Sequence, residues 1–191
     1  MALPTSVLEL TKASKPDIPA IQSLASRIWH DCYPGIISNE QIAYMLEKMY
    51  GTAVIERELA SGVAYELARC GGKTVGFLSY SIASGDIQPI SKQRVIGVSP
   101  RWRGTRDLTL HKLYLLKELQ GKGFGQQLLR HVKSQARQLN AATISLRVNR
   151  NNQQAITAYQ RAGFVVAETN VADIGGGFVM DDYIMKCTVG H

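Results

Sequence analysis

Hydrophobic positions along the chain change several times between the spacing of helices and the spacing of strands. Apolar residues recur every three or four positions over 17–33, and Ser38 followed by Gln41 predicts the start of another helix. Short alternating or continuous apolar runs, such as 108–116 and 142–148, predict strands. The predicted strands are 6–13, 63–70, 73–84, 108–116, 142–148, 164–173 and 177–189. The predicted helices are 17–33, 38–50, 52–62 (helix or turn), the segment after residue 125, and 151–163.

This order of elements predicts a single α/β domain with a mixed sheet over residues 1–191. Gly71 and Gly72 separate two strand patterns and predict an antiparallel hairpin. The stretch 85–107 interrupts the strand pattern with five basic residues against two acidic ones. It is therefore predicted to be a basic loop insertion, with a short strand at 94–98.

Composition narrows the class of protein. A content of 45% hydrophobic and 19% charged residues is ordinary for a globular chain. No apolar run approaches the roughly 20 residues of a membrane span, and the start lacks the features of a signal peptide, so we expect a cytoplasmic protein without a membrane partner. Cys32, Cys70 and Cys187 lack the spacing of metal ligands, so no metal is expected. The net charge of +7 favours an anionic partner, which could be nucleic acid, a membrane or a phosphorylated small molecule.

Three glycines, Gly121, Gly123 and Gly125, stand where an apolar strand runs into a helix. The start of a helix exposes backbone N–H groups and the positive end of the helix dipole, and glycines let an anion approach this backbone closely. Lys122 adds a positive charge. The turn therefore predicts a phosphate site, although the chain has neither a Walker A string nor a complete dinucleotide-binding fingerprint.

Two motifs in this half of the chain resemble the GNAT superfamily of acyl-CoA-dependent N-acyltransferases. The first has the form Q-x-x-G-x-G, and the second has the form N-x-x-A-x-x-x-Y-x-x-x-G-F. They are formed by Gln120, Gly123 and Gly125, and by Asn152, Ala155, Tyr159, Gly163 and Phe164.

The resemblance implies a mixed, mostly antiparallel twisted sheet of about seven strands, splayed at its centre and flanked by about four helices. It also implies direct transfer of an acetyl group from acetyl-CoA to a primary amine. The two ends of the chain look similar to the branch that contains bacterial polyamine acetyltransferases, which suggests a polyamine-like small molecule as acceptor, with a peptide as the other class. A homodimer is a further expectation.

The resemblance also assigns roles to residues of this chain. Tyr159 would be the general acid that protonates the leaving thiolate. Arg161 would contact a coenzyme phosphate. The residues expected to bind the pyrophosphate or the pantetheine arm are Gly121, Lys122, Gly123, Phe124, Gly125 and Gln126, together with Leu113, Tyr114, Leu115 and Asn152. For Asn152, a helix N-cap is an equally good local explanation.

The resemblance does not identify the general base, because some family members place a glutamate where this chain has Arg147. A guanidinium cannot accept a proton at neutral pH. His111 is the first candidate because an imidazole titrates near neutrality, His30 is the second, and a water chain is the third. His111 could instead be a satisfied histidine of the sheet.

The acceptor is expected near aromatic residues of the first helical region, where Trp29 and Tyr33 could surround a cation. Packing of the helix against the sheet is the alternative explanation for both. Asp181 and Asp182 could attract a positively charged amine, or could belong to a solvated hairpin.

Two other functions remain open at this point. One is a nucleic-acid-binding module that uses the basic loop 85–107 with Trp102, although no recognised nucleic-acid-binding motif is present. The other is a non-catalytic sensor of acyl-CoA on the same fold.

Overall fold

The computed structural model describes residues 8–83 and 106–190, which form one seven-stranded sheet with helices on both faces. The strands are β1 (Glu9–Lys12), β2 (Ala64–Cys70), β3 (Lys73–Ala83), β4 (Asp107–Leu115), β5 (Thr143–Asn149), β6 (Val165–Gly175) and β7 (Phe178–Thr188). The helices are α1 (Ile18–Cys32), α2 (Asn39–Tyr50), α3 (Thr52–Ala60), α4 (Phe124–Gln138) and α5 (Gln153–Arg161).

Local sequence signals explain where several elements begin and end. The Ser38 hydroxyl accepts a hydrogen bond from the backbone N–H of Gln41, so Ser38 is the N-cap of α2 as predicted. Gly163 has a φ of +84° just after the end of α5, a conformation that glycine adopts without strain. Most of the predicted basic loop, including its strand at 94–98, lies outside the described residues, but Asp107 already belongs to β4.

The sheet order is β1-β2-β3-β4-β5-β7-β6, and all neighbouring strands are antiparallel except β4 and β5. The predicted hairpins β2–β3 and β6–β7 are both present. The parallel pair β4–β5 is connected through α4, as a parallel connection requires a crossover. The mostly antiparallel mixed sheet predicted from the sequence is therefore confirmed.

The sheet opens in the middle of β4. Strands β4 and β5 pair only from Asp107 opposite Thr143 to Leu110 opposite Leu146, after which β4 has no strand partner on that side within residues 8–83 and 106–190. On the other side, β3 pairs with Leu110 and then with Lys112, so the intervening residue His111 has no partner and forms a β-bulge. The splayed sheet is thus confirmed, and the bulge occurs where the two central strands separate.

The two faces of the sheet carry separate hydrophobic clusters. One cluster packs α4 and α5 against the sheet and includes Leu110, Leu128 and Leu146. The other packs α1, α2 and α3 against β2 and β3, and includes Ile21 and Ile42. The sheet that opens between β4 and β5 is therefore covered by a packed hydrophobic cluster on each face.

A buried ion pair connects β4 to α3 immediately after the bulge. The Lys112 side chain is only 2% exposed, and its Nζ lies 2.7 Å and 3.0 Å from the two carboxylate oxygens of Glu58. The ammonium also lies 5.6 Å from the ring centre of Tyr50 and 5.2 Å from that of Tyr65, whose hydroxyl donates to Glu58. Burial lowers the pKa of the Lys112 ammonium, and the charge of Glu58 counteracts this effect. This pair holds the bulged part of β4 in place.

We expect Glu58→Gln to lower the free energy of unfolding by about 3 kcal/mol, because it leaves the buried Lys112 ammonium without its counter-charge. Urea denaturation would measure the change. The matched control is Glu56→Gln, which removes an exposed partner 3.6 Å from Lys15 and should cost less than about 1 kcal/mol. Equal losses in the two variants would contradict a structural role for the buried pair.

Candidate active site

A cleft of about 820 Å³ lies where β4 and β5 separate. Its wall is formed by both strands, by α1, by the turn before α4 and by α5. Ten of the residues predicted from the sequence line it: Trp29, Tyr33, His111, Leu113, Tyr114, Leu115, Gly121, Gly125, Asn152 and Tyr159. The other five, Lys122, Gly123, Phe124, Gln126 and Arg161, are not among the residues that line the cleft.

The glycine turn presents an open backbone surface at the start of α4. Gly121 and Gly123 have positive φ values of +73° and +84°. A Cβ atom placed on Gly121, Gly123 or Gly125 would meet nothing within 4 Å beyond the adjoining chain. The first turn of α4 contains no acidic residue. The turn is therefore shaped and polarised to receive an anion.

Three side chains of the turn hold it in position. Phe124 is buried in the core, and the Gln126 amide donates to the backbone carbonyl of Ala158 on α5, at 2.8 Å. The Gln120 amide donates to the carbonyl of Leu115 at 3.1 Å, which fixes the turn to the end of β4. Phe124 and Gln126 thus have structural contacts that the sequence did not indicate.

Asn152 and Tyr159 contribute to the cleft from α5. Asn152 is the N-cap of this helix, because its side-chain oxygen accepts from the backbone N–H of Ala155 at 3.1 Å. The Tyr159 ring packs against Phe164, with 5.8 Å between ring centres. Burial raises the pKa of Tyr159 to about 12, so its hydroxyl remains protonated at neutral pH and can donate a proton or a hydrogen bond.

Trp29 of α1 and Tyr33, which directly follows this helix, pack against other aromatic rings. Trp29 is 2% exposed and stacks on Tyr33, with 4.4 Å between ring centres. The edges of Tyr50 and the tilted ring of Tyr114 complete the group around Trp29. Packing thus accounts for Trp29, and a role in substrate binding stays a prediction for Trp29 and Tyr33.

His111 occupies the bulge and lines the cleft, with its Nε2 atom 2.8 Å from the Ser81 hydroxyl. Its pKa lies below the usual value, first because the protein desolvates the ring and then because of the charge of Lys112. His111 is therefore neutral at pH 7 and able to accept a proton. His30 is exposed, with Nδ1 2.8 Å from the Ser26 carbonyl, and does not line the cleft.

The two adjacent aspartates of β7 lie in different environments. Asp181 is half exposed and pairs with Arg150 at 3.2 Å, outside the cleft. Asp182 lines the cleft, is 6% exposed and has its Oδ1 atom without a hydrogen-bond partner among the described residues. Burial raises the pKa of Asp182 to about 6, although Arg147 lowers it. Strand alternation could have separated the two aspartates, but the sequence does not tell which face lines the cleft.

The part of the chain that the structure describes contains no cluster of three or more side chains able to hold a metal ion. None of the helices within it is long and apolar enough to cross a membrane.

Known proteins with similar sequence or structure share the acetyltransferase name. An uncharacterised N-acetyltransferase of Mycobacterium tuberculosis is 34% identical over 93 residues, which cover 48% of this chain and 59% of that relative's length. The PaiA N-acetyltransferase of Thermoplasma acidophilum, solved with coenzyme A, aligns with a TM-score of 0.71 at 21% identity, over 95% of this chain and 99% of that one. A ribosomal-protein alanine N-acetyltransferase of Escherichia coli aligns with a TM-score of 0.67 at 16% identity, over 97% and 96%. At these identities the two structures demonstrate a shared fold.

The sequence model of the acetyltransferase (GNAT) family matches residues 24–164, which is most of the chain and includes the glycine turn and α5. The chain therefore belongs to the GNAT family of acetyltransferases.

Proposed function

We propose that this protein transfers an acetyl group from acetyl-CoA directly to the primary amine of a small molecule or a peptide. The observation that carries the proposal is the opening of the sheet at His111. It brings the unpaired edge of β4, the glycine turn and Tyr159 to one cleft. Membership of the GNAT family supports the same reaction.

The glycine turn and the edge of β4 offer suitable groups for the pyrophosphate and the pantetheine arm of acetyl-CoA. The open turn from Gly121 to Gln126 would bind the pyrophosphate through its backbone N–H groups, with Lys122 adding charge. The edge of β4 from Leu113 to Leu115 would bind the pantetheine arm, because its backbone groups on the β5 side have no strand partner in the part of the chain that the structure describes. Asn152 stays a predicted contact of the pantetheine. Arg161, the last residue of α5, stays a predicted contact of a phosphate.

Acetyl-CoA supplies an activated acetyl group as its thioester. The protein has to accept a proton from the amine and donate a proton to the leaving thiolate. Tyr159 would protonate the departing thiolate, which suits a hydroxyl that burial keeps protonated. His111 would accept the proton that the amine must lose before it attacks, which suits an imidazole that is neutral at pH 7. Neither step needs an acyl-enzyme intermediate.

The acceptor class is suggested by the similar proteins and by the sequence. The name of the similar Escherichia coli protein indicates a protein substrate, whereas the ends of this chain resemble polyamine acetyltransferases. Both are primary amines, so both classes are compatible with the proposed chemistry. We expect the protein to act in the cytoplasm, and homodimer formation stays a prediction.

A measurement of acetyl-CoA turnover distinguishes the proposed acetyl transfer from the two alternative functions. A nucleic-acid-binding role would depend on the loop at 85–107, most of which lies outside the described residues. A sensor of acyl-CoA would use the same glycine turn without releasing thiol. Thiol release from acetyl-CoA in the presence of an amine therefore supports the enzyme against both alternatives.

We expect Gly125→Val to abolish acetyl-CoA binding without unfolding the protein. Gly125 has no positive φ and its Cβ position is open, so valine should be tolerated by the fold while it blocks access to the backbone. Calorimetric titration with acetyl-CoA would measure the loss. Gly190→Val is the matched control, since its Cβ position is equally open and its φ is not positive. Unchanged affinity in a folded Gly125→Val variant would contradict the assignment of the turn.

We expect Tyr159→Phe to lower kcat by about 10² to 10⁴-fold, the usual contribution of a positioned acid, while acetyl-CoA affinity stays within about twofold. Steady-state thiol release and calorimetry would give the two values. Tyr183→Phe, a partly buried tyrosine that does not line the cleft, should leave both unchanged. A loss of affinity as large as the loss of kcat would assign Tyr159 to binding instead.

We expect kcat at saturating amine to rise with pH through a midpoint below 6.5, because the base must be unprotonated and the pKa of His111 is lowered from that value. His111→Asn should remove this rise and lower kcat. His30→Asn, which alters an exposed imidazole outside the cleft, should retain the profile. If His111→Asn retains the rise, a water chain becomes the favoured route for the proton.

A further inference from the structure

Two carboxylates line the described part of the cleft, and only one of them is available to a ligand. Glu58 is already neutralised by the Lys112 ammonium and accepts from Tyr65. Asp182 takes part in none of the ion pairs formed by the described residues. A positively charged group that enters the cleft therefore finds one free anionic partner.

Asp182 is enclosed in a way that favours a ligand cation. Its cross-strand neighbours on β5 and β6 are Asn149 and Asn170, which are uncharged. A buried carboxylate oxygen without a hydrogen-bond partner is costly, and an ammonium would satisfy it. Asp182 lines the same cleft as the proposed acid, Tyr159.

Arg147 provides a free cation on the same face of the sheet. It lies opposite Ile184, while Asp182 lies opposite Asn149, so Arg147 and Asp182 are diagonal neighbours on β5 and β7. Such diagonal neighbours on adjacent strands lie roughly 7–8 Å apart. Arg147 is exposed, lines the cleft and forms no ion pair or hydrogen bond among the described residues. A small molecule with both charges could therefore contact the two side chains at once.

Much of the remaining cleft wall is apolar. It includes Met45 and Met49 of α2, together with Ile174 and Met180 of the β6–β7 hairpin. Methionine side chains adapt to apolar groups of different shape. A polyamine would bring several positive charges to this wall, where no further unpaired carboxylate lies among the described lining residues. An apolar side chain would fit better.

We infer that the acceptor is an α-amino acid with an apolar side chain, whose ammonium binds Asp182 and whose carboxylate binds Arg147. This inference rests on the proposed acetyl transfer and narrows its substrate class. After the ammonium loses a proton through His111 to solvent, its nitrogen forms a bond to the acetyl carbonyl carbon. The carbon–sulfur bond then breaks, the thiolate takes a proton from Tyr159, and the nitrogen loses its second proton, which returns to Tyr159 through solvent. The products are an N-acetylamino acid and coenzyme A.

The test compares amines that differ in one charged group. Thiol release is measured with L-leucine, L-methionine and L-phenylalanine, with L-leucinamide and 3-methylbutylamine, which lack the leucine carboxylate, and with spermidine. We expect kcat/KM for the best amino acid to exceed those of the carboxylate-free amines and spermidine by at least about tenfold, because a charge-assisted contact is lost in each of them. At a pH of about 8.5, well above the pKa of Asp182, Arg147→Gln should raise KM for the amino acid at least about tenfold, and should change KM for 3-methylbutylamine by less than about twofold.

Asp182→Asn should raise KM for both kinds of amine and leave the affinity for acetyl-CoA unchanged, which also shows that the variant is folded. The matched controls are Arg150→Gln and Asp181→Asn, because this neighbouring pair carries the same charges outside the cleft. Both controls should leave the preference for the carboxylate intact.

The inference is overturned if leucinamide, 3-methylbutylamine or spermidine is acetylated as well as the amino acids, or if Arg147→Gln affects every amine equally. In either case the proposed acetyl transfer would stand. If neither these amines nor a peptide with a free N-terminus releases thiol, the proposed acetyl transfer is wrong. Calorimetric titration of the three amino acids into the coenzyme A-bound protein then decides: binding that Arg147→Gln abolishes supports the zwitterion site, and absence of binding refutes it.

Discussion

The separation of β4 from β5 is the constraint on which the site depends. A parallel pair that stayed together beyond Leu110 would fill the cleft with its own hydrogen bonds and leave no edge for a ligand. The bulge at His111 makes the separation compatible with a continuous β3–β4 ladder, because only one residue of β4 loses its partner. Gly76 on β3 then allows this strand to approach the C-terminal end of β4 closely. A Cβ atom at position 76 would lie 2.3 Å from the Tyr114 carbonyl oxygen. Beyond Leu110, β4 is thus paired with β3 and no longer with β5.

Holding a strand from one side requires other anchors, and these use charged and polar groups. The Lys112–Glu58 pair anchors the strand just after the bulge, and Gln120 anchors the turn that follows the strand. Both contacts lie beside the cleft and both engage groups that would otherwise be available to a ligand. Among the described residues that line the cleft, Asp182 and Arg147 are the charged groups without such a partner, and we infer that they recognise the acceptor.

Local features of the fold could be predicted from the sequence, because their causes are local. The N-cap Ser38, the helix end at Gly163 and the glycine turn each depend on residues within a few positions of one another. The bulge could not be predicted, because an extra residue in β4 is defined only by its register against β3. The same limitation hid the burial of Lys112, which a lysine in a strand does not suggest. Which of two adjacent aspartates lines the cleft likewise depends on the pairing of β7 with β5.

Arg147 stands where some members of the family are expected to place a glutamate, and its charge affects the cleft beyond the loss of a base. A glutamate at this position would add a second anion near Asp182, and the site would then favour amines with more than one positive charge. The guanidinium instead repels a second cation and lowers the pKa of both Asp182 and His111. Lowering the pKa of Asp182 opposes the effect of its burial, so Arg147 helps to keep this carboxylate ionised near neutral pH. Arg147 therefore favours the charged form of Asp182 and adds a cation beside it, which is the pair of charges that we infer for binding a zwitterion.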